Sequence, residues 1–127
     1  MRRHKLMAVL AGGALLAFTG TVEAHHSFAM FDQEAATELV GAVQEFKFTS
    51  PHTFILLKVN DKDGNSTVWN LEGVSPSSLV RDGWSSKTLK QGDELRLTIS
   101  PLRSGAPGGA WTTNKIKFKD GRPIIAP

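Results

Sequence analysis

The sequence predicts a small, mainly β domain. Three observations carry that prediction: short runs that alternate apolar and polar residues, turn clusters rich in Gly, Asp, Asn and Pro between them, and one stretch with the start and stop signals of a helix.

The first segment stands apart from the domain. Arg2, Arg3 and Lys5 make a positive start, Leu6 to Gly20 carries no charge, and Val22-Glu23-Ala24 offers small or tolerated residues at the two positions that a signal peptidase reads. This is the layout of a cleavable secretory signal, and its apolar run is short for a bilayer-spanning helix. Residues 1–24 are therefore expected to be a signal peptide cut after Ala24, residues 25–127 a single domain, and the destination periplasmic or secreted. No second long apolar run follows, so no membrane anchor is expected after cleavage. Without cysteine, neither a lipid at the cut nor a disulfide can contribute, and stability must come from packing.

His25 to Ala36 reads as an extended or loosely helical arm anchored by Phe28, Met30 and Phe31. Thr37 to Phe48 reads as a long strand with Val40, Ala42, Phe46 and Phe48 on one face, bent or bulged midway at Gly41 and Gln44-Glu45. Thr49-Ser50-Pro51-His52 breaks it. Thr53 to Asn60 is the clearest strand, with Ile55, Leu57 and Val59 opposite Phe54 and Leu56, so both faces are expected to be covered. Asp61 to Asn65 is a hairpin turn leading into a strand from Ser66 to Glu72. The helix follows: Ser75 is placed to cap, Pro76 suits its first position, Gly83 suits its exit, and Leu79, Val80 and Trp84 supply its buried side. Gln91-Gly92-Asp93 turns into a strand from Glu94 to Ser100, with Leu95, Leu97 and Ile99 inward. Ser104 to Gly109 reads as a flexible loop. Trp111 to Lys119 reads as the last strong strand, with Ile116 and Phe118 inward and Lys115, Lys117 and Lys119 outward. Asp120 to Pro123 turns, and Ile124-Ile125 closes the chain.

Three strands, a short helix and two more strands, with a long bent first strand, fit a five-stranded Greek-key barrel of the OB type with its helix between strands three and four. An open meander or small sandwich is the rival arrangement.

Cleavage changes the charge argument. The chain has 15 basic and 12 acidic residues, and losing Arg2, Arg3, Lys5 and Glu23 leaves 12 against 11. A nearly neutral mature chain has no overall electrostatic footprint for nucleic acid, so no nucleic-acid partner is expected.

Candidate chemistry sits on the histidines. Cleavage after Ala24 gives His25 a free α-amino group that can chelate a metal ion together with its own imidazole. His26 offers amine, backbone amide and second-position imidazole instead, and His52, between the first two strands, can complete a nitrogen set. Such planar nitrogen donors suit Cu(II), so copper is the cofactor to consider; Met30 would be a soft ligand only for Cu(I). Glu72 is a candidate to anchor a histidine ring from behind the metal, or else an exposed strand-end carboxylate. No nucleophile elbow and no phosphate-cradling glycine loop is visible, so no catalytic residue is assigned and an enzyme is not expected. Trp69, Trp84 and Trp111 read as core rather than as a stacking platform, and the lysine stripe as edge protection.

The run His25-His26-Ser27-Phe28-Ala29-Met30-Phe31-Asp32, the Ser-Pro-His step at 50–52, Trp69-Asn70-Leu71-Glu72 and Gly83-Trp84 together resemble a family of small exported bacterial proteins of unknown function. The resemblance spans residues 25–125, and Ser50 stands where that family usually has asparagine. It implies an exported small β domain, implies no activity, and suggests that His25, His26, His52 and Glu72 share one neighbourhood. Two functional readings follow. One is a periplasmic binding or accessory protein that takes Cu(II) at its mature N-terminus. The other is a structural or interaction module that docks a periplasmic protein or an envelope polymer, its histidines serving only local hydrogen bonds. A copper oxidative enzyme is disfavoured by the small size of the domain.

Overall fold

The computed structural model describes residues 28–127. The expected signal peptide, its cleavage point, and His25 and His26 lie outside the described residues. Six strands form one sheet: β1 (Thr37–Lys47), β2 (Phe54–Asn60), β3 (Ser66–Glu72), β4 (Glu94–Pro101), β5 (Gly108–Ala110) and β6 (Ile116–Phe118), with α1 (Pro76–Arg81) between β3 and β4. The strands run in the order β1-β2-β3-β5-β4, and β4 pairs back onto β1, so five strands close into a barrel. The seam between β3 and β5 is parallel, while the β1–β2, β2–β3, β1–β4 and β4–β5 pairings are antiparallel. This is the OB-type closure that the order of elements predicts.

Burial follows the alternation of each strand. Ile55 and Leu57 on β2, Leu71 on β3, and Leu95, Leu97 and Ile99 on β4 point into the barrel and are 0–2% exposed. Phe54 and Leu56, on the opposite face of β2, are only half-buried. The hairpin between β2 and β3 is tied by Asp61, whose Oδ1 accepts from the backbone N–H groups of Asp63 and Asn65. Gly64 has φ +82° there, which suits a residue without Cβ.

β1 departs from the sequence reading in phase. Leu39 and Val43 are the buried residues of its first half, not Val40 and Ala42. A register shift between Val43 and Glu45 adds one residue, after which Phe46 and Phe48 pack on the core. The bulge is where the sequence places it, but a single alternation carried through it assigns the wrong face to the first half.

Helix α1 is capped as its sequence indicates. The Ser75 side chain accepts from Ser78 N–H, Pro76 occupies the first turn, and Gly83 leaves the helix at φ +86°. Leu79 is fully buried and Trp84 is 4% exposed, so they dock the helix on the barrel. Val80, by contrast, is 57% exposed. One turn and a half presents too narrow a stripe to bury two successive residues.

The C-terminal part is broken where one strand is expected. Gly108 and Gly109, read as loop, form β5; Trp111 and Thr112 leave the sheet, Thr113–Lys115 makes a 3-10 turn, and only Ile116–Phe118 resumes as β6 against β4. Glycine here permits close approach rather than flexibility. A Cβ on Gly109 would lie 2.5 Å from the Ser100 carbonyl oxygen, and one on Gly108 would lie 2.7 Å from Leu102 Cδ1. β5 is wedged between β3 and β4, and larger residues would not fit the gap.

Candidate functional site

Barrel closure brings distant segments together at one end. β2 and β3 pair up to Phe54 opposite Glu72, and the pairing continues past the strand ends: Gly73 N–H donates to the Thr53 carbonyl at 2.8 Å, and the Thr53 N–H and hydroxyl both donate to the Val74 carbonyl. Thr53 is fully buried, so these bonds fix the chain on both sides of it. His52, one residue earlier, is thereby set beside Glu72. Its own carbonyl accepts from the Thr49 hydroxyl at 2.9 Å, and the Ser50–Pro51 peptide ahead of it is cis.

The His52 ring meets Glu72 directly, through Nδ1 and Oε1. An ionised carboxylate only accepts, so Nδ1 carries the proton and donates to it. In the neutral imidazole this leaves the lone pair on Nε2. His52 and Glu72 are partly buried, with side chains 33% and 20% exposed. A carboxylate that orients a histidine through one ring nitrogen is the arrangement that supports metal-bound imidazoles from behind.

The pair lies in a cleft of about 390 Å³ whose walls are mainly apolar: Phe28, Phe31, Pro51, Val74 and Trp111 line it along with His52 and Glu72. Trp111 reaches it through the parallel seam, its N–H donating to the Glu72 carbonyl at 2.9 Å. Its indole lies on Gly73, packs 5.4 Å from the Trp84 ring, and is 2% exposed. The indole Nε1–H is buried and has no acceptor among the described residues.

Phe28 and Phe31 reach the cleft from the N-terminal arm. Phe31 bridges to Leu102, Asp32 N–H donates to the Pro101 carbonyl at 2.8 Å, and Arg103 N–H donates to the Met30 carbonyl at 2.9 Å. The arm therefore runs along the end of β4, and the first described residue already borders the cleft. His26 precedes Phe28 by two residues, a span of at most about 7 Å of extended chain.

Of the four sequence-predicted site residues, His52 and Glu72 are brought into contact, and His25 and His26 lie outside the described residues. Among the described residues no three His, Asp or Glu side chains gather as a metal set. Gly73 and Trp111 are cleft residues that the sequence reading places in no site. A glycine directly after a strand end is the one local signal for them, because it marks close backbone or ring approach.

A larger groove, about 670 Å³, lies beside Phe118, and four of its charged side chains are exposed and paired with each other: Lys119 with Glu94 at 3.4 Å and Arg122 with Asp120 at 2.7 Å.

The model of a family of unknown function, DUF6152, matches residues 14–113. The chain belongs to that family. No curated protein matches it. Among solved structures it is similar to the mitochondrial single-stranded DNA binding protein Rim1 of S. cerevisiae, at 8% identity and a TM-score of 0.49, over 67% of this chain and 94% of that one. The exclusion of nucleic-acid partners drawn from net charge is withdrawn, because its premise is insufficient. Single strands are held by local basic grooves and aromatic stacking, and the total charge of a chain measures neither. Among the described residues no helix is long and apolar enough to cross a membrane.

Proposed function

We propose that this protein is an exported accessory protein that binds Cu(II) at the N-terminus created by cleavage after Ala24, with His25 and His26 from the arm and His52 from the β1–β2 loop as ligands. The observation that carries the reading is the Glu72-held imidazole of His52 in a cleft bordered by the arm. Its Nε2 lone pair is oriented in advance, and Phe28, which borders the cleft, follows His25 and His26 in the sequence by three and two residues. An amine, a deprotonated amide and imidazoles form the nitrogen-rich planar set that Cu(II) prefers over other divalent ions.

The test uses protein exported from the full-length precursor. Its first residue is read by mass spectrometry, and Cu(II) is then titrated by calorimetry and electron paramagnetic resonance. The reading expects a chain beginning at His25, a nitrogen-rich spectrum, and affinity at least tenfold weaker both in His52→Ala and in protein with one extra N-terminal residue. A different first residue, or binding indifferent to His52, overturns it.

A second reading, the interaction module, is favoured by Phe28 and Val74, which stand 65% and 44% exposed at the cleft. It expects Phe28→Ser to abolish a periplasmic contact while leaving Cu(II) affinity unchanged.

A further inference from the structure

The turn that joins β2 to β3 carries an acceptor motif far from the cleft. Asn65-Ser66-Thr67 reads Asn-X-Thr with X other than proline, the pattern at which asparagine amides receive sugars in secreted chains. Of the four asparagines, at 60, 65, 70 and 114, only Asn65 has Ser or Thr two places on. The chemistry needs a reachable side-chain amide with a hydroxyl beside it, so the motif counts only where the fold exposes both.

The structure exposes both. Asn65 lies in the hairpin turn, and every residue from Asp61 to Val68 is exposed. The Asn65 backbone is fixed twice: its N–H donates to Asp61 Oδ1 at 2.9 Å, and its carbonyl accepts from the Asp61 N–H at 2.8 Å. The Ser66 hydroxyl is engaged with Asn60 Oδ1 at 2.7 Å. The Asn65 side-chain amide and the Thr67 hydroxyl, by contrast, have no hydrogen-bond partner among the described residues. Asn65 stands immediately before β3 and Thr67 is its second residue. Residues two apart along an extended chain project to one side, which sets the free hydroxyl next to the free amide.

We propose that Asn65 is an N-glycosylation site of the exported chain, its donor a lipid-linked sugar pyrophosphate. Asn65 Nδ2 attacks the anomeric carbon C1 of the sugar. The Nδ2–C1 bond forms, the bond from C1 to the phosphate oxygen breaks, the lipid pyrophosphate leaves with the bonding pair, and the Nδ2 proton passes to a base of the transferase. The proposal shares export with the copper reading and needs no metal. β3 runs from Ser66, beside the acceptor, to Glu72 at the cleft, a rise of about 20 Å, so a glycan leaves the cleft open. It stands instead next to the first half of β3, because β5 pairs only with Asn70 to Glu72. Bulk there hinders edge-to-edge pairing with another chain.

The test is the intact mass of the chain exported by the cells that naturally produce it. The expected result is a mass above that of the polypeptide by whole sugar units, with fragmentation placing the sugar on Asn65. Asn65→Gln and Thr67→Val should each be exported without the added mass, whereas Thr67→Ser, which keeps the hydroxyl, should retain it. An exported chain with the polypeptide mass alone, or a sugar that persists in Asn65→Gln, overturns this inference and leaves the copper reading standing. A chain retained with its first 24 residues uncut overturns both. The mass of the unaltered protein decides the matter even if a variant fails to fold.

Discussion

Replacing Gly73 by alanine tests the floor of the cleft. A Cβ there would stand 2.5 Å from Trp111 Cε2, 2.6 Å from Nε1 and 2.7 Å from Cζ2. These atoms belong to a rigid ring, 2% exposed and backed by Trp84, so the clash cannot be relieved by swinging a flexible side-chain end. Gly73 is not among the positive-φ glycines, so alanine brings no backbone strain and gains about 0.4–1 kcal/mol from a stiffer unfolded chain. Overpacking a well-packed site costs about 1–3 kcal/mol. The net expectation is a loss of about 1–2 kcal/mol, seen as a Tm lower by roughly 5–15 °C for a domain of this size. Thermal unfolding followed by near-ultraviolet circular dichroism reports both the stability and the indole environment. Combining Gly73→Ala with Trp111→Phe completes a double-mutant cycle, and the smaller ring should recover about 0.5–2 kcal/mol of the clash. An unchanged or higher Tm for Gly73→Ala, or strictly additive effects in the cycle, would refute the placement of Trp111 on Gly73.

Three further outcomes follow from the same geometry. Glu72→Gln keeps the size of the side chain but removes the carboxylate that orients His52, and Cu(II) affinity by calorimetric titration should fall about 10–100-fold, as for other partners of ligating histidines. Leu79→Ala, at a fully buried position, should cost about 2–5 kcal/mol in denaturant unfolding, whereas Val80→Ala on the exposed side of α1 should change stability by less than about 0.5 kcal/mol. Asp120 has its carboxyl held below the usual carboxylate range, first by the Arg122 side chain and then by the Arg122 backbone N–H. A lowered folded pKa stabilises the fold above the unfolded value of 3.8, and that contribution fades as pH falls through the folded value. Arg122→Ala should therefore move the Asp120 titration upward in carbon-detected NMR, with little change in Tm near neutral pH because the group is on the surface.

What was legible in the sequence is what depends on neighbours along the chain. The β2 alternation, the Asp61–Asn65 turn, the Ser75 cap and the Gly83 exit each rest on a few consecutive residues, and the structure contains them all. The β1 face was misassigned because the bulge after Val43 changes phase without changing composition. Gly108 and Gly109 were misread because a glycine pair that admits a neighbouring strand looks locally like one that frees a loop. The same limit applies to the cleft. His52 and Glu72 are legible as chemically competent residues, but their contact depends on the β2–β3 register carried past the strand ends by Thr53. Trp111 enters only through a parallel seam between segments with α1 and β4 between them. No local pattern encodes that proximity.

The seam itself yields a last test, because it is a short closure of the barrel and the one that builds the cleft. β3 and β5 share three residue pairs, Asn70 to Glu72 with Gly108 to Ala110, whereas β1 and β4 share six, from Thr37–Ile99 to Ala42–Glu94. A short seam opposite a long one should open locally at lower cost than the whole barrel unfolds. The Trp111 amide, which donates to the Glu72 carbonyl, reports that opening; the amides of Ile55 and Leu97, in strands paired on both sides, report global unfolding. In native-state hydrogen exchange Trp111 should exchange faster than both. A ligand that needs His52, Glu72 and Trp111 together binds only the closed seam, so at a concentration a hundred times its Kd it should slow Trp111 exchange about 100-fold, equivalent to roughly 2.7 kcal/mol. If Trp111 exchanges as slowly as Ile55 and Leu97 without ligand, the seam opens only with the barrel. The cleft would then be a rigid feature of the fold, and occupancy would have to be read from stability as a whole.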